Sequence, residues 1–298
     1  MSARIGTDLE WLRTQFIVAL AERPELRALL VLKGGAALAL AHRLGLRASV
    51  DIDYSIAGDA DDPAAFGELI FDALRARLEP MGLAMFDELF SSRPDSNLVG
   101  APASRWGGYS ATFKLIRRER FDAHSGDLER IRREALSVTG DPQAARTFRV
   151  EISKFEHCEP SVSVVMADGV ACQVYSLELL AAEKLRALCQ QMTEYERRRH
   201  PAPRARDFYD LHALLTNGRV DLADEHVHDL LRAVFGAKEV PLELLMRLEA
   251  YREFHRADWP GVRNAIPAGR SGDFDFYVDF VVAEVRKVSK PLGMEDAP

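Results

Sequence analysis

The 298-residue chain has only three cysteines, Cys158, Cys172 and Cys189, and none of them stands in a C-x-x-C pair. An odd number of scattered cysteines argues against a disulfide framework and favours reduced thiols in a cytoplasmic protein. The eight histidines form no H-x-x-H or H-E-x-x-H pattern. We therefore expect neither a structural disulfide nor a zinc site.

Long apolar runs are missing as well. No stretch reaches the roughly 20 apolar residues that a transmembrane helix needs, and residues 1–10 lack the apolar core of a signal peptide. Positive charge is also in deficit, since 39 Lys and Arg against 46 Asp and Glu give a net charge of −7. This balance argues against a protein that binds nucleic acid over its whole surface, but it allows a local basic groove. We expect a cytoplasmic protein with no membrane partner.

Residues 31–56 contain the densest group of functional signals. A short apolar strand ends at Gly34-Gly35, an apolar helical run follows from Ala36 to Leu44, and a second strand comes after it. Because glycine has no side chain, the backbone at this pair can approach a phosphate and offer its N–H groups. The plainer interpretation is that Gly-Gly before a helix only forms a turn.

The second strand of this stretch contains Asp51 and Asp53. Alternation along a strand predicts that both carboxylates lie on one face, where they can hold Mg²⁺, or Mn²⁺ as an alternative. A phosphate cradle beside a metal-binding strand indicates phosphoryl or nucleotidyl transfer. The alternative is solvated charge on an exposed strand edge.

Residues 147–153 alternate cleanly, with Phe148, Val150 and Ile152 opposite Arg149, Glu151 and Ser153. This pattern predicts a strand with one buried apolar face. Glu151 then shares a face with the two aspartates if the two strands are neighbours. A charged residue on the open face of a strand is otherwise usually solvated.

The order Gly-Gly, helix, Asp-hydrophobic-Asp-hydrophobic resembles the signature of the DNA polymerase β-like nucleotidyltransferase superfamily. The longer gap between Gly35 and Asp51, with L-K-G-G-A-A-L before it and S-V-D-I-D-Y-S around Asp51, resembles the AbiEii/AbiGii toxin family. The resemblance implies an α/β (α+β) fold in which a nucleotidyltransferase domain with a mixed sheet precedes a helical domain. It also implies Mg²⁺, an NTP substrate and a third metal ligand on a later strand, for which Glu151 is the candidate.

A second resemblance to the same family lies in residues 182–188, which read A-E-K-L-R-A-L, and residues 204–211, which read R-A-R-D-F-Y-D-L. It implies that Lys184 reaches the phosphates of the nucleotide and that Asp207 orients or activates the attacking hydroxyl, alone or through Lys184. The plainer interpretation is a lysine that reaches solvent from the helix edge and acidic residues that complement a helix dipole. One departure is Gln191, which stands where the family usually has arginine.

The catalytic residues predicted in this way are Asp51, Asp53, Lys184 and Asp207, with Asp51, Asp53 and Glu151 as metal ligands. The predicted nucleotide contacts are Lys33, Gly34, Gly35, Ser49, Ser55 and Asp210. For Lys33 a position at a strand end is an equal alternative, and serines are common at strand ends.

A change of texture near Ser176, from strands to helices, predicts a nucleotidyltransferase domain over residues 1–175 and a helical domain over 176–298 that completes the active-site cleft. Further helices are expected over residues 8–22, 25–30, 63–78, 126–136, 204–215, 224–235, 241–255 and 274–287. Asp62 can cap the helix 63–78, with Pro63 at its first position, and Ser176 can cap a helix that begins at Leu177.

The function predicted is transfer of a nucleotidyl group from an NTP to RNA, with tRNA as a plausible acceptor. The resemblance implies a toxin of a toxin–antitoxin or phage-defence pair, with an antitoxin as a further partner. Arginine clusters at 117–120, 130–133 and 197–206 are candidates to line a groove for RNA, although 130–133 equally fits a salt-bridged surface. Two alternatives stay open, namely a protein or small-molecule acceptor, which the net charge of −7 favours slightly, and a degenerate nucleotide-binding module.

Overall fold

The computed structural model describes residues 9–44, 51–93, 106–138, 145–198, 200–216, 220–266 and 272–294. The chain divides into two compact units. The first comprises Met1–Ala41, Ser49–Phe155 and Ser161–Val174, and the second comprises His42–Ala48, Glu156–Pro160 and Tyr175–Pro298. The sequence places the boundary between its two domains near Ser176, and that boundary stays a prediction.

The first unit is built on a seven-stranded mixed sheet with the order β3-β4-β5-β2-β1-β7-β6. Strand β2 runs antiparallel to β1 and parallel to β5, and β1 runs parallel to β7. The predicted mixed α/β fold is therefore confirmed. The strands are β1 Val31–Lys33, β2 Ile52–Ser55, β3 Leu83–Arg93, β4 Gly108–Arg117, β5 Phe148–Ser153, β6 Ser161–Val165 and β7 Ala171–Tyr175.

The helices of the first unit are α1 Leu9–Glu22, α2 Pro24–Leu29, α3 Gly34–Ala36, α4 Pro63–Leu78, α5 Arg118–Ala123 and α6 Leu128–Glu134. Helices α1 and α4 cover one face of the sheet. The Phe16 ring lies 5.3 Å from Phe113 and 5.5 Å from Phe148, both centroid to centroid, and Phe66 lies 5.7 Å from Tyr109. These contacts explain why the apolar residues of β4 and β5 alternate with polar ones. On the opposite face, β5 and residues 110–114 of β4 are polar, while Ile116 of β4 belongs to a small apolar cluster with Ile131.

Local capping signals predicted the start of α4. The side chain of Asp62 accepts hydrogen bonds from the N–H groups of Ala64 and Ala65 at 3.0 and 3.1 Å, and Pro63 occupies the first turn. Both features satisfy or avoid the unpaired N–H groups that begin every helix. The predicted helix 63–78 is confirmed.

Three features of the first unit differ from the sequence prediction. The helix expected over 36–44 begins at Gly34 and continues as a π-helix over Ala37–Ala41. Strand β6 and helix α5 were not predicted. Strand β6 is a short edge strand with little burial, which leaves it without the strong one-sided pattern that identifies a core strand.

The second unit is helical. Its elements are α7 Leu177–Cys189, α8 Ala205–Thr216, α9 Glu225–Ala237, a 3₁₀ segment Leu242–Tyr251, α10 Arg252–Arg256, α11 Trp259–Asn264 and α12 Phe274–Lys287. Ser176 caps α7 as expected, because its side chain accepts a hydrogen bond from the N–H of Leu179 at 3.1 Å. Within the described part of the chain, no helix combines the length and apolar character needed to cross a membrane.

Glu156 explains why the segment 156–160 belongs to the helical unit. Its carboxylate accepts a hydrogen bond from Arg186 at 2.6 Å and lies 3.6 Å from the ammonium of Lys238. All three side chains are buried. Buried charges of opposite sign must be paired, so these contacts hold the segment against α7 and the end of α9. The three cysteines, Cys158, Cys172 and Cys189, are buried and free.

Candidate functional site

The sheet register brings three predicted site residues of the first unit into one row. Asp53 on β2 pairs with Lys33 on β1 and with Glu151 on β5. Residues paired across adjacent strands point to the same face and lie about 5 Å apart. The condition set by the sequence, that the strands of Asp53 and Glu151 be neighbours, is met.

Asp51 lies in a bend directly before β2, which begins at Ile52. The prediction that both aspartates lie within one strand is wrong for Asp51 by one residue. Both aspartates are half-buried. Carboxylate oxygens are the donors that Mg²⁺ prefers, and Mg²⁺ is usually held by one or two carboxylates with substrate phosphates completing its shell. Asp51 and Asp53 match that donor set.

Glu151 is already engaged by cations. Its carboxylate accepts a hydrogen bond from the guanidinium of Arg93 at 2.9 Å and lies 3.6 Å from that of Arg149. Among the residues with described positions, no group of three or more His, Cys, Asp or Glu side chains is arranged to hold a metal ion. The metal role of Glu151 stays a prediction.

Gly34 brings the backbone against the acidic strand. It adopts φ +67°, and a Cβ placed there would lie 2.5 Å from Oδ2 of Asp53. Only glycine accommodates both this left-handed conformation and this approach. Gly35 follows within α3, and Lys33 precedes the pair with its ammonium donating a 3.1 Å hydrogen bond to the hydroxyl of Ser153. The local geometry thus joins the glycine turn to Asp53.

Replacing Gly34 by Ala is therefore expected to lower both stability and turnover. The left-handed conformation costs an L-residue about 1–2 kcal/mol, and the new methyl group must displace the Asp53 carboxylate. A displacement of about 1 Å in a reacting group lowers the rate by about 10²-fold. The measurement is the transfer rate together with the midpoint of thermal unfolding. Gly58→Ala is the matched control, because its Cβ would meet nothing within 4 Å. Wild-type turnover in the Gly34 variant would show that its approach to Asp53 does not matter.

The two serines predicted beside the acidic pair have different outcomes. Ser49 lies outside the described residues. Ser55 is fully buried in β2, where it pairs with Val31 and Ser153. Its contact with nucleotide stays a prediction.

In the second unit, Lys184, Asp207 and Asp210 form one buried cluster. The ammonium of Lys184 on α7 donates hydrogen bonds to Asp207 Oδ1 at 3.0 Å and to Asp210 Oδ2 at 2.7 Å, both on α8. Arg204 pairs with the other oxygen of Asp207. The side chain of Lys184 is only 4% exposed, so the plainer interpretation of a lysine that reaches solvent is wrong.

The charge balance of this cluster determines the protonation of Asp207. Burial alone would raise the pKa of Asp207, but the charges of Arg204 and Lys184 outweigh it and hold the pKa well below its usual range. A carboxylate with such a low pKa is a weak general base. Of the two roles that the sequence left open for Asp207, this favours the one that acts through Lys184.

Gln191, where the family resemblance leads one to expect arginine, is buried and makes two hydrogen bonds. Its side-chain amide donates to the carbonyl of Ala187 at 2.8 Å, and its oxygen accepts from the N–H of Ala202 at 3.0 Å. Gln191 therefore ties the segment before α8 to the end of α7.

His255 supports the same cluster from α10. Its Nδ1 accepts a 3.1 Å hydrogen bond from the backbone N–H of Arg204, which requires that nitrogen to be unprotonated. Burial lowers the pKa of His255 to about 4, although the charge of Asp207 acts in the opposite direction. His255 is thus neutral near pH 7.

Stability is expected to fall on acidification because of His255. Unfolded histidine has a pKa of about 6.5, so between that value and the folded value of about 4 the unfolded chain binds the extra proton. The free energy of unfolding should lose about 2 kcal/mol from this group between pH 7 and pH 5. Urea unfolding of wild type and His255→Gln at both pH values isolates the contribution. An equal pH dependence in the two proteins would contradict it.

The arginine cluster 130–133 is salt-bridged, as the alternative interpretation had it. Arg132 lies 2.8 Å from Asp87, and Arg130 lies 3.6 Å from Glu134. In each of the other two clusters at least one arginine is ion-paired, Arg118 with Glu79 at 3.1 Å and Arg197 with Glu239. A groove for RNA at those clusters stays a prediction.

Sequence reasoning missed Arg93, Arg149 and His255 as members of these sites. Arg149 lies two residues before Glu151 in the same strand, so the strand pattern already placed it on the same face as Glu151. Arg93 and His255 carry no such local signal.

The mixed sheet, its Gly-Gly turn against an acidic strand and the helices that follow are consistent with an α+β nucleotidyltransferase fold. A model of the family described as nucleotidyl transferase AbiEii toxin, type IV toxin–antitoxin system, matches residues 15–280, and the chain belongs to this family. The crystal structure of JHP933 from Helicobacter pylori is similar in fold, with a TM-score of 0.50 and 18% sequence identity over 95% of this chain and 91% of that one. No curated protein sequence gives a significant match.

Proposed function

We propose that the protein transfers a nucleotidyl group from an NTP to an RNA acceptor, with tRNA as the expected acceptor, as the toxin of a toxin–antitoxin or phage-defence pair. The observation that carries the proposal is the row of Lys33, Asp53 and Glu151, with the backbone of Gly34 against the Asp53 carboxylate. This row joins the glycine turn to hard oxygen donors within one sheet.

The residues have separate tasks in this proposal. Gly34 and Gly35 offer backbone N–H groups to the phosphates of the NTP, and Lys33 adds a positive charge beside them. Asp51 and Asp53 would hold Mg²⁺, which when bound neutralises charge on the reacting phosphate and lowers the pKa of the attacking hydroxyl. Because Asp51 and Asp53 are half-buried, their carboxylates remain partly accessible to a metal ion and a substrate.

The transfer is a single substitution at phosphorus. The acceptor hydroxyl oxygen forms a bond to the α-phosphorus, and the bond to the β-phosphate oxygen breaks with its electron pair, so pyrophosphate leaves. The hydroxyl proton passes to solvent. Lys184 and Asp207 are proposed to contribute to turnover, with Asp207 acting through Lys184.

The test is incubation of the purified protein with each of four α-³²P-labelled NTPs, Mg²⁺ and total RNA, alongside Asp53→Asn. Label on tRNA-sized RNA that is lost in the variant is the expected result, and it also identifies the preferred base. Label on protein or a small molecule would favour the alternative acceptors, for which the net charge of −7 is the supporting observation. No labelled product with any acceptor or metal would overturn the proposal.

A further inference from the structure

The polar face of the sheet extends beyond Glu151, away from Asp53. Register pairs Glu151 on β5 with Ser110 on β4, and Ser110 with Ser91 on β3. Arg93, two residues after Ser91, therefore lies on the same face. Helices α1 and α4 pack on the opposite face, so these polar groups do not belong to the main core.

Two arginines converge on Glu151 from this face. Arg93 reaches across β4, donating to Glu151 at 2.9 Å and to the hydroxyl of Ser110 at 3.4 Å. Arg149 lies two residues before Glu151 and approaches the same carboxylate oxygen at 3.6 Å. The side chains of Arg93 and Arg149 remain 53% and 42% exposed, so both are open to a ligand. A guanidinium pairs with carboxylate and phosphate in the same forked geometry.

The order of strands places the two arginines on a defined side of β2, the strand that contains Asp53. Lys33, at the end of β1, and Gly34 directly after it lie on one side of β2. Glu151 on β5 lies on the other side of β2, and Arg93 on β3 lies further out on that side, beyond β4. In an in-line displacement the attacking and leaving oxygens lie on opposite sides of the phosphorus. If the glycine turn holds the leaving phosphates, the acceptor approaches from the side of β5 and β4.

We propose that Arg93 and Arg149 bind a backbone phosphate of the RNA acceptor, and that Glu151 occupies both guanidinium groups until the RNA arrives. This rests on the proposed function, since it assigns the acceptor side of the same site. Arg93 and Arg149 are acceptor-positioning residues, and the carboxylate of Glu151 stands in for a phosphate in the free protein. The two arginines give a protein of net charge −7 a local RNA contact.

The test compares wild type, Arg93→Lys, the double variant Arg93→Gln/Arg149→Gln, and Arg232→Gln. Arg232 is the matched control, because it is 48% exposed and ion-paired with Asp229 on α9 of the second unit. We expect the double variant to raise KM for RNA about tenfold and to lower the slope of log K against log salt by about one per lost contact, with KM for NTP unchanged. Arg93→Lys should be intermediate in KM for RNA, because lysine keeps the charge but loses the fork.

Glu151→Gln supplies a second readout that needs no turnover. Filter binding of RNA without NTP or metal should show tighter binding than wild type, because the arginines are released from the carboxylate. Glu68→Gln, at a 75% exposed position on α4, controls for the loss of one negative charge. Equal RNA affinity in the Glu151 and Glu68 variants would contradict the role of Glu151 as a stand-in.

The remaining outcomes separate this inference from the proposed function. A rise in KM for NTP instead of RNA would put the arginines on the triphosphate side and overturn the assignment, as would no change in either KM. If wild type labels no RNA, the proposed function fails, and direct RNA binding by the arginine variants still tests the phosphate contact. Loss of RNA binding in the double variant but not in Arg232→Gln would support that contact.

Discussion

Asp53→Asn is expected to lower the rate of nucleotidyl transfer by a factor on the order of 10³ or more, because in the proposed mechanism it removes the charge of a metal ligand at the reacting phosphate. Asp53 lies in the centre of the row of paired residues and also lies against the glycine turn. It pairs with Lys33 and Glu151, and its Oδ2 lies against the position of a Cβ on Gly34. The amide keeps the shape of the side chain but not its charge, so the loss reports on electrostatics.

Stability should change little in this variant. Asp53 is half-buried and pairs with Lys33 on one side and Glu151 on the other, so neutralising it removes one attraction and one repulsion that offset each other. Thermal unfolding checks this, and Asp61→Asn, an exposed residue in the turn before α4, is the matched activity control. If the turnover of Asp53→Asn lies within tenfold of the wild-type value, Asp53 is not a ligand of a catalytic metal ion.

The second large effect is expected on stability, from Lys184→Met. The ammonium of Lys184 is paired with the buried carboxylates of Asp207 and Asp210, and the half-buried Arg204 pairs with Asp207 as well. Removing the ammonium breaks its ion pairs with two carboxylates that are each 1% exposed, and breaking a buried ion pair costs about 3–5 kcal/mol. Urea unfolding at pH 7 measures the loss.

A double variant separates this structural role from a role in turnover. Lys184→Met/Asp210→Asn removes both charges of one ion pair and should recover part of the lost stability, which a double-mutant cycle quantifies. If the double variant folds and stays inactive, Lys184 contributes to transfer beyond holding the cluster together. A single Lys184→Met variant within 1 kcal/mol of wild type would contradict the structural argument.

The sequence predicted the strands and the glycine turn that carry the candidate site of the first unit to within one residue, and it did so for a physical reason. The glycine pair, the acidic strand and the alternation of residues 148–153 are local patterns, set by backbone conformation and by the period of a strand. The Asp62 cap with Pro63 predicted α4 on the same basis. The exception, Asp51, falls at a strand end, where local patterns are least reliable.

The sequence by itself thus determined the local elements, the acidic strand and the residues that resemble the family motifs. Only the tertiary structure decided that Glu151, 98 positions from Asp53, is its neighbour in register, that Arg93 crosses β4 to reach Glu151, and that Lys184 is buried between two aspartates. The reason is that strand pairing and burial depend on contacts between residues far apart in the chain, while sequence patterns report only on neighbours along it.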